Sequence, residues 1–186
     1  MGRVNETCPS ATVTGTDLSR FQVVNAKLRG VNGAFVVCCA EYMPFRSDFF
    51  DFIACSEVIE HVASKKDSLL EMERMLRKGG YLCISTDNPL SVYRRVLDYV
   101  RKKTGRIDVA HEEYIPIASL TKIIPRNIRP YKTMLICPYS LLPAVGPFGL
   151  DAVGKTWVRL TRLTQKLPYV GKQLCNKYIV FGVKLS

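Results

Sequence analysis

An α/β fold built from parallel βαβ units is the class that this sequence predicts, and three observations lead to it. Phe52–Ser56 is an apolar run that ends in the polar cluster Ser56, Glu57, Glu60 and His61. A segment of helical period follows, then Gly79-Gly80 and a second apolar run, Tyr81–Thr86. Ala34–Cys39 is a further continuous apolar strand, the pattern of a parallel sheet covered on both faces. Strand, helix, strand with a short glycine turn is the parallel crossover unit, and ligands of such sheets gather beyond the carboxyl ends of the strands. At 186 residues the chain reads as one domain, with 1–90, 91–132 and 138–177 as its successive parts.

Taken in order, Ala11–Thr16 is a short β-branched strand ending at Asp17. An acidic residue at such a strand end can accept hydrogen bonds from both ribose hydroxyls of a nucleoside; alternatively Asp17 caps the next helix, where Ser19 would serve as well. That helix, Arg20–Arg29, carries Phe21, Val24 and Leu28 at i, i+3, i+7 and stops at Gly30. Ser64 followed by Asp67 is a variant capping box. Beyond it Leu69, Met72 and Leu76 face the sheet, while Glu73 and Arg77 are spaced to pair across one exposed turn. Asn88-Pro89 caps a helix over Leu90–Lys103. Thr133–Cys137 and Tyr178–Leu185 are the last two strands.

Between those strands lies Pro138–Lys177. Its helix puts Lys155, Arg159, Arg162 and Lys166 on one stripe, with Leu150, Val153, Trp157, Leu160 and Leu167 broadly opposite. A basic amphipathic helix of this kind suits an anionic membrane surface; equally, its apolar face packs on the domain and its cations are solvated.

Charge is divided unevenly. Residues 1–90 hold 10 Lys/Arg against 11 Asp/Glu, and residues 91–186 hold 17 against 5, so the net +11 resides in the second half. That excess admits a nucleic-acid partner, but aromatics do not interleave with the basic stripe as stacking platforms would. The seven cysteines form no C-x-x-C pair, and Cys38, Cys39, Cys55 and Cys83 sit in apolar runs as small hydrophobes. No metal site is expected. The cysteines and the lack of a signal peptide or spanning run point to a reducing, cytoplasmic setting, with peripheral membrane contact through the insert.

Five pieces stand in one order: Gly15-Thr16-Asp17-Leu18-Ser19, Ala40-Glu41-Tyr42-Met43-Pro44-Phe45, Phe50-Asp51-Phe52-Ile53, Ser56-Glu57-Val58-Ile59-Glu60-His61 and Leu76-Arg77-Lys78-Gly79-Gly80-Tyr81-Leu82. Together they resemble the class I S-adenosylmethionine (SAM)-dependent methyltransferases, in the type 11-like group that includes quinone-biosynthesis enzymes. The resemblance implies a Rossmann-like sheet with helices on both faces and an antiparallel final hairpin, here split by the insert. It implies SAM as cofactor, with Asp17 on the ribose, Leu18 on the adenine, and Cys39, Ala40, Glu41, Ser56 and Glu57 around it. Family members often carry Asp where Cys39 stands; a thiol is a poor acceptor, which leaves the adenine edge to the backbone near Ala40. Pro44-Phe45 corresponds to the turn closing the adenine pocket.

His61 borders cofactor and acceptor in the resembling family, although a histidine at a helix start is also an ordinary packing residue. His111 and Tyr114 fall where related enzymes carry a lid, as candidates for contacting or deprotonating an acceptor; a plain surface loop fits them equally. The family's first strand and its glycine-rich loop have no counterpart in Met1–Ser10. Truncation, degeneration or a strand supplied by a partner would each explain this. The implied activity is methyl transfer to a small, lipid-like acceptor. A non-catalytic module and an RNA methyltransferase are the alternatives, and a dehydrogenase is disfavoured by the Ala40–Phe45 and Ser56–His61 pieces.

Overall fold

The computed structural model describes residues 8, 10–30, 33–92, 95, 99, 103, 113–136, 175 and 177–185. Its elements are β1 (Thr14–Asp17), α1 (Arg20–Leu28), β2 (Ala34–Val37), β3 (Phe50–Ser56), α2 (Lys65–Met75), β4 (Leu76–Asp87), α3 (Ile117–Ile123), β5 (Ile128–Ile136) and β6 (Lys177–Lys184). β1 and β2 pair in parallel as a two-stranded sheet. The other four strands form a sheet of order β3-β4-β6-β5, with β3 and β4 parallel and β6 antiparallel to both its neighbours. The expected α/β architecture and antiparallel final pair are present. Among the described residues the two sheets are separate, with no ladder joining β1 or β2 to β3.

Local chemistry explains where α2 begins. Ser64 accepts from the Asp67 amide at 3.3 Å, and Glu41 accepts from the Ala63 and Ser64 amides at 2.9 and 3.2 Å. Amides that a helix start leaves without intrahelical partners are thereby satisfied by two side chains. The helix ends at Met75, four residues before Gly79. The glycine pair instead shapes an irregularity inside β4: Gly79 has φ +72°, and a Cβ on Gly80 would lie 2.8 Å from the Arg77 carbonyl oxygen.

One apolar layer holds the four-stranded sheet to α2 and α3. Leu69 and Met72 of α2, Leu120 of α3, Leu82 and Ile84 of β4 and Val180 of β6 are all buried in a single cluster. Each fully buried aliphatic side chain contributes about 1.5–3 kcal/mol. Along β4 the alternation is regular, with Leu82, Ile84 and Thr86 inward. Tyr81, Tyr131 and Phe181 meet on the other side, with ring centroids 6.3 Å apart.

The apolar stripe of α1 is its outer face: Phe21, Val24 and Leu28 are exposed, and Val23 is the buried residue. Two expectations are corrected. Glu73 and Arg77 do not pair. Arg77 lies beyond the helix, 2.6 Å from Asp51, and Glu73 accepts from Asn127 Nδ2 at 2.6 Å. β2 is only half covered, not buried on both faces. Strand limits also move: β5 takes up 128–132 from the supposed lid, and β6 begins at Lys177, the supposed last residue of the insert. The Leu90–Lys103 helix lies mostly, and the basic stripe of the insert wholly, outside the described residues.

The β5–β6 contact is tight at Gly182, where an added Cβ would meet Ile128 Cγ2 at 2.6 Å, and Ile128 is buried. Gly182→Ala is therefore expected to lower stability by about 1–3 kcal/mol, the usual cost of overpacking. Urea unfolding of the variant against wild type measures it.

Candidate functional site

The carboxyl ends of β1, β2, β3 and β4 carry the predicted residues and several that the sequence reading passed over. Asp17 closes β1, Cys39 and Ala40 follow β2, and Ser56 closes β3 with Glu57 next in the chain. Register sets Ser56 opposite Ser85 of β4, and Asp87 of β4 opposite Lys177 of β6. Two parallel strands in register must deliver their C-terminal polar residues to one edge.

A continuous polar chain results. Ser56 Oγ and Ser85 Oγ are 2.9 Å apart, and Ser85 Oγ donates to Glu57 Oε1 at 3.0 Å. Lys177 Nζ donates to Glu57 Oε2 and lies 3.5 Å from Asp87 Oδ1. Glu57 adopts φ +54°, the left-handed region, while its amide donates to the Ser85 carbonyl at 3.0 Å. Burial opposes the Lys177 ammonium, but the Glu57 hydrogen bond and the Asp87 and Glu57 charges outweigh it and hold its pKa above the ordinary value.

Behind this edge sits a buried carboxylate. Glu60 is 3% exposed and accepts from Thr86 Oγ1 at 2.8 Å. Burial first, and the Glu60 charge second, push the Tyr178 phenol above its ordinary range; its hydroxyl donates to the Ile115 carbonyl. The same two causes, partly offset by the Ile59 backbone hydrogen bond, push the Cys55 thiol up to about 12. The Glu113 amide donates to the Glu60 carbonyl at 3.0 Å, and Glu113 pairs with Lys65 at 2.6 Å. These bonds lay the segment carrying Tyr114 against the Glu57–His61 turn. His61 is exposed on that turn, its amide bonded to the Val58 carbonyl. His111 lies outside the described residues.

At the end of β1, Ser19 caps α1 and Asp17 Oδ1 accepts from the Ser19 amide at 2.8 Å. Asp17 Oδ2 takes no hydrogen bond from the described residues. Leu18 is 74% exposed beside it. The Glu41 carboxylate is turned onto the start of α2, so one of its oxygens is already committed. Pro44-Phe45 is fixed from behind, where Glu71 accepts from the Met43 amide at 3.0 Å and Arg74 donates to the Met43 carbonyl at 3.3 Å. The Arg74 hydrogen bond holds the Glu71 carboxyl below its usual range. Among the described residues no group of His, Cys, Asp and Glu could hold a metal ion, and no helix is long and apolar enough to cross a membrane.

Comparison with known proteins bears on this geometry. Residues 2–84 match the family described as "Methyltransferase domain". A ubiquinone biosynthesis O-methyltransferase of Rhizobium leguminosarum bv. trifolii is 33% identical over 160 residues, 84% of this chain, and the chain spans 57% of its length. Over those residues the chain is similar to class I SAM-dependent methyltransferases. Solved structures agree in fold. The methyltransferase in a Haloferax volcanii complex with the Trm112 methyltransferase activator superimposes with TM-score 0.68 at 17% identity, covering 99% of this chain and 76% of its own. A SAM-dependent methyltransferase from Mesorhizobium loti gives 0.67 at 16% identity, covering 98% and 84%.

The residues present fit the adenosyl end of SAM, the cofactor that the likeness to methyltransferases implies. Asp17 has an open carboxylate oxygen, Leu18 an exposed apolar side chain, and both stand at a parallel strand end. Sequence reasoning missed Ser85, Thr86, Asp87 and Lys177. The first three were visible as a polar run closing the Tyr81–Thr86 strand, the same signal that marked Ser56 and Glu57. Nothing near Lys177 signalled a partner 120 residues away.

The folded chain keeps the Cys55 proton up to about pH 12, whereas an unfolded thiol releases it near the ordinary 9.0. The stability contributed by this group is complete below pH 9 and is lost as pH rises toward 12. Tyr178 and Lys177 shift in the same direction. Urea midpoints are expected to fall from pH 8.5 to pH 11, and to fall less in Cys55→Ala.

Proposed function

We propose that the whole protein transfers a methyl group from SAM to a small acceptor, and that this chain provides the adenosyl and acceptor edges of the site. The observation that carries the proposal is that Asp17 and Cys39/Ala40 close the parallel pair β1–β2 and Ser56/Glu57 close β3 of the parallel pair β3–β4, with Glu41 joining the segment after β2 to the start of α2. Asp17 accepts from the ribose hydroxyls, with Leu18 against the adenine and the backbone of Cys39 and Ala40 at its edge. Ser56 and Glu57 border the cofactor from the β3 side. When bound, SAM supplies a methyl group made electrophilic by its sulfonium.

What the chain's own residues do is hold and orient. Alignment of two reactants contributes more to such a reaction than covalent help from the protein, with a base added where the acceptor must lose a proton. His61 and Tyr114 are the described candidates beside the acceptor, because the Glu113–Glu60 bond brings their two segments together. His111 completes the trio proposed from sequence. The acceptor we infer is a small lipid-like molecule of the quinone class, on the strength of the relative's name as a ubiquinone biosynthesis O-methyltransferase. The excess of cations in residues 91–186 supports peripheral contact with an anionic membrane, where such an acceptor resides.

Charge-assisted hydrogen bonds contribute about 1.5–3 kcal/mol. Asp17→Ala is therefore expected to weaken SAM binding about 10- to 100-fold in the complete polypeptide. Isothermal titration calorimetry reads this directly, and an unchanged affinity refutes the ribose assignment.

A further inference from the structure

Resting on the SAM-binding reading above, we infer that Lys177 is a positioning residue for the cofactor edge, holding Glu57 and Ser56 in place from the far end of the chain. The starting point is the backbone of Glu57. A non-glycine residue at φ +54° costs about 1–3 kcal/mol and persists only where its surroundings over-determine it. Here three constraints do so. The Glu57 amide is bonded to the Ser85 carbonyl, Oε1 takes the Ser85 hydroxyl, and Oε2 takes Lys177. The first two come from the neighbouring strand β4. The third comes from the start of β6 and is the only cation that the described contacts bring to this carboxylate.

Charge makes the third constraint matter most. Lys177 stands between Glu57 and Asp87 and faces both. Without its ammonium, two carboxylates at one strand edge would repel, and the buried Glu60 behind them adds to the same sign. The cheapest relief is for Glu57 to leave the left-handed conformation and swing outward. That rotation carries the Ser56–Glu57 peptide away from the edge where the cofactor is proposed to lie.

Position in the chain gives the contact a further consequence. Cys175, two residues earlier, is fully buried, and its carbonyl accepts from Asn88 Nδ2 at 2.8 Å. The start of β6 is thus fastened to the end of β4 at two adjacent points, Asn88–Cys175 and Asp87–Lys177. The polypeptide between β5 and β6 therefore ends on the cofactor edge, and displacement of that end is felt at Glu57.

The test is calorimetric titration of the complete polypeptide with SAM, alongside melting temperatures. Lys177→Met is expected to weaken binding about tenfold, and Lys177→Arg to restore most of it. Glu57→Gln is expected to weaken binding, and the double variant to be no weaker than the poorer single, because the two residues act as one unit. Lys184→Met removes a comparable contact at the other end of β6, where Lys184 meets Asp48 at 2.8 Å, so it should lower the melting temperature and leave affinity unchanged. Wild-type affinity in Lys177→Met, full additivity with Glu57→Gln, or failure of Lys177→Arg to restore binding each overturns the inference. A wild-type protein that binds no SAM overturns the methyltransferase reading and this inference together.

Discussion

The parallel pairing of β3 with β4 is the constraint on which the rest of the structure depends. Its register sets Ser56 beside Ser85 and, through the next ladder, Thr86 beside Tyr178 and Asp87 beside Lys177. Because side chains alternate along a strand, that one register also decides which residues go inward. Leu82, Ile84 and Thr86 face α2 and α3, while Ser85 and Asp87 join the open edge. A slip of one residue would exchange the two sets, burying a serine and an aspartate and exposing the core.

Buried polarity at the inner end of this edge is tolerated because it is bonded. Glu60 and Thr86 satisfy each other, Tyr178 reaches the Ile115 carbonyl, and the Glu60 backbone receives the Glu113 amide. Each of these contacts joins segments far apart in sequence. The β3–β4 unit and the later segments are therefore held together by polar contacts around one carboxylate as well as by the apolar layer. An unpaired carboxylate at this depth would cost several kcal/mol, so the arrangement specifies the approach of 113–115 closely.

What could be read from the sequence was what depends on neighbours in the chain. The Ser64 cap, the inward pair Leu69 and Met72, and the polar cluster closing Phe52–Ser56 are local patterns, and the structure contains them; Leu76 is buried too, but as the first residue of β4 and not on the helix. The direction of the α1 stripe was not legible, because periodicity identifies an apolar face without saying what covers it; Val23 is the buried residue. Glu73 and Arg77 were spaced for a helical pair, but the helix stopped between them and tertiary partners took both. Glu41 was legible as an acidic residue after a strand, yet its use at the start of α2 depends on a contact 22 residues away. Lys177 was hidden for the same reason, at far greater separation.

The account stands on the adenosyl group lying across the carboxyl ends of β1, β2 and β3. Amide chemical-shift mapping of the complete protein during titration with SAM tests this most directly. The account requires the largest perturbations at Asp17–Ser19, Cys39–Glu41 and Ser56–Glu57, with the amides of β5 unmoved. Perturbations confined to other surfaces, or none at saturating SAM, would contradict it.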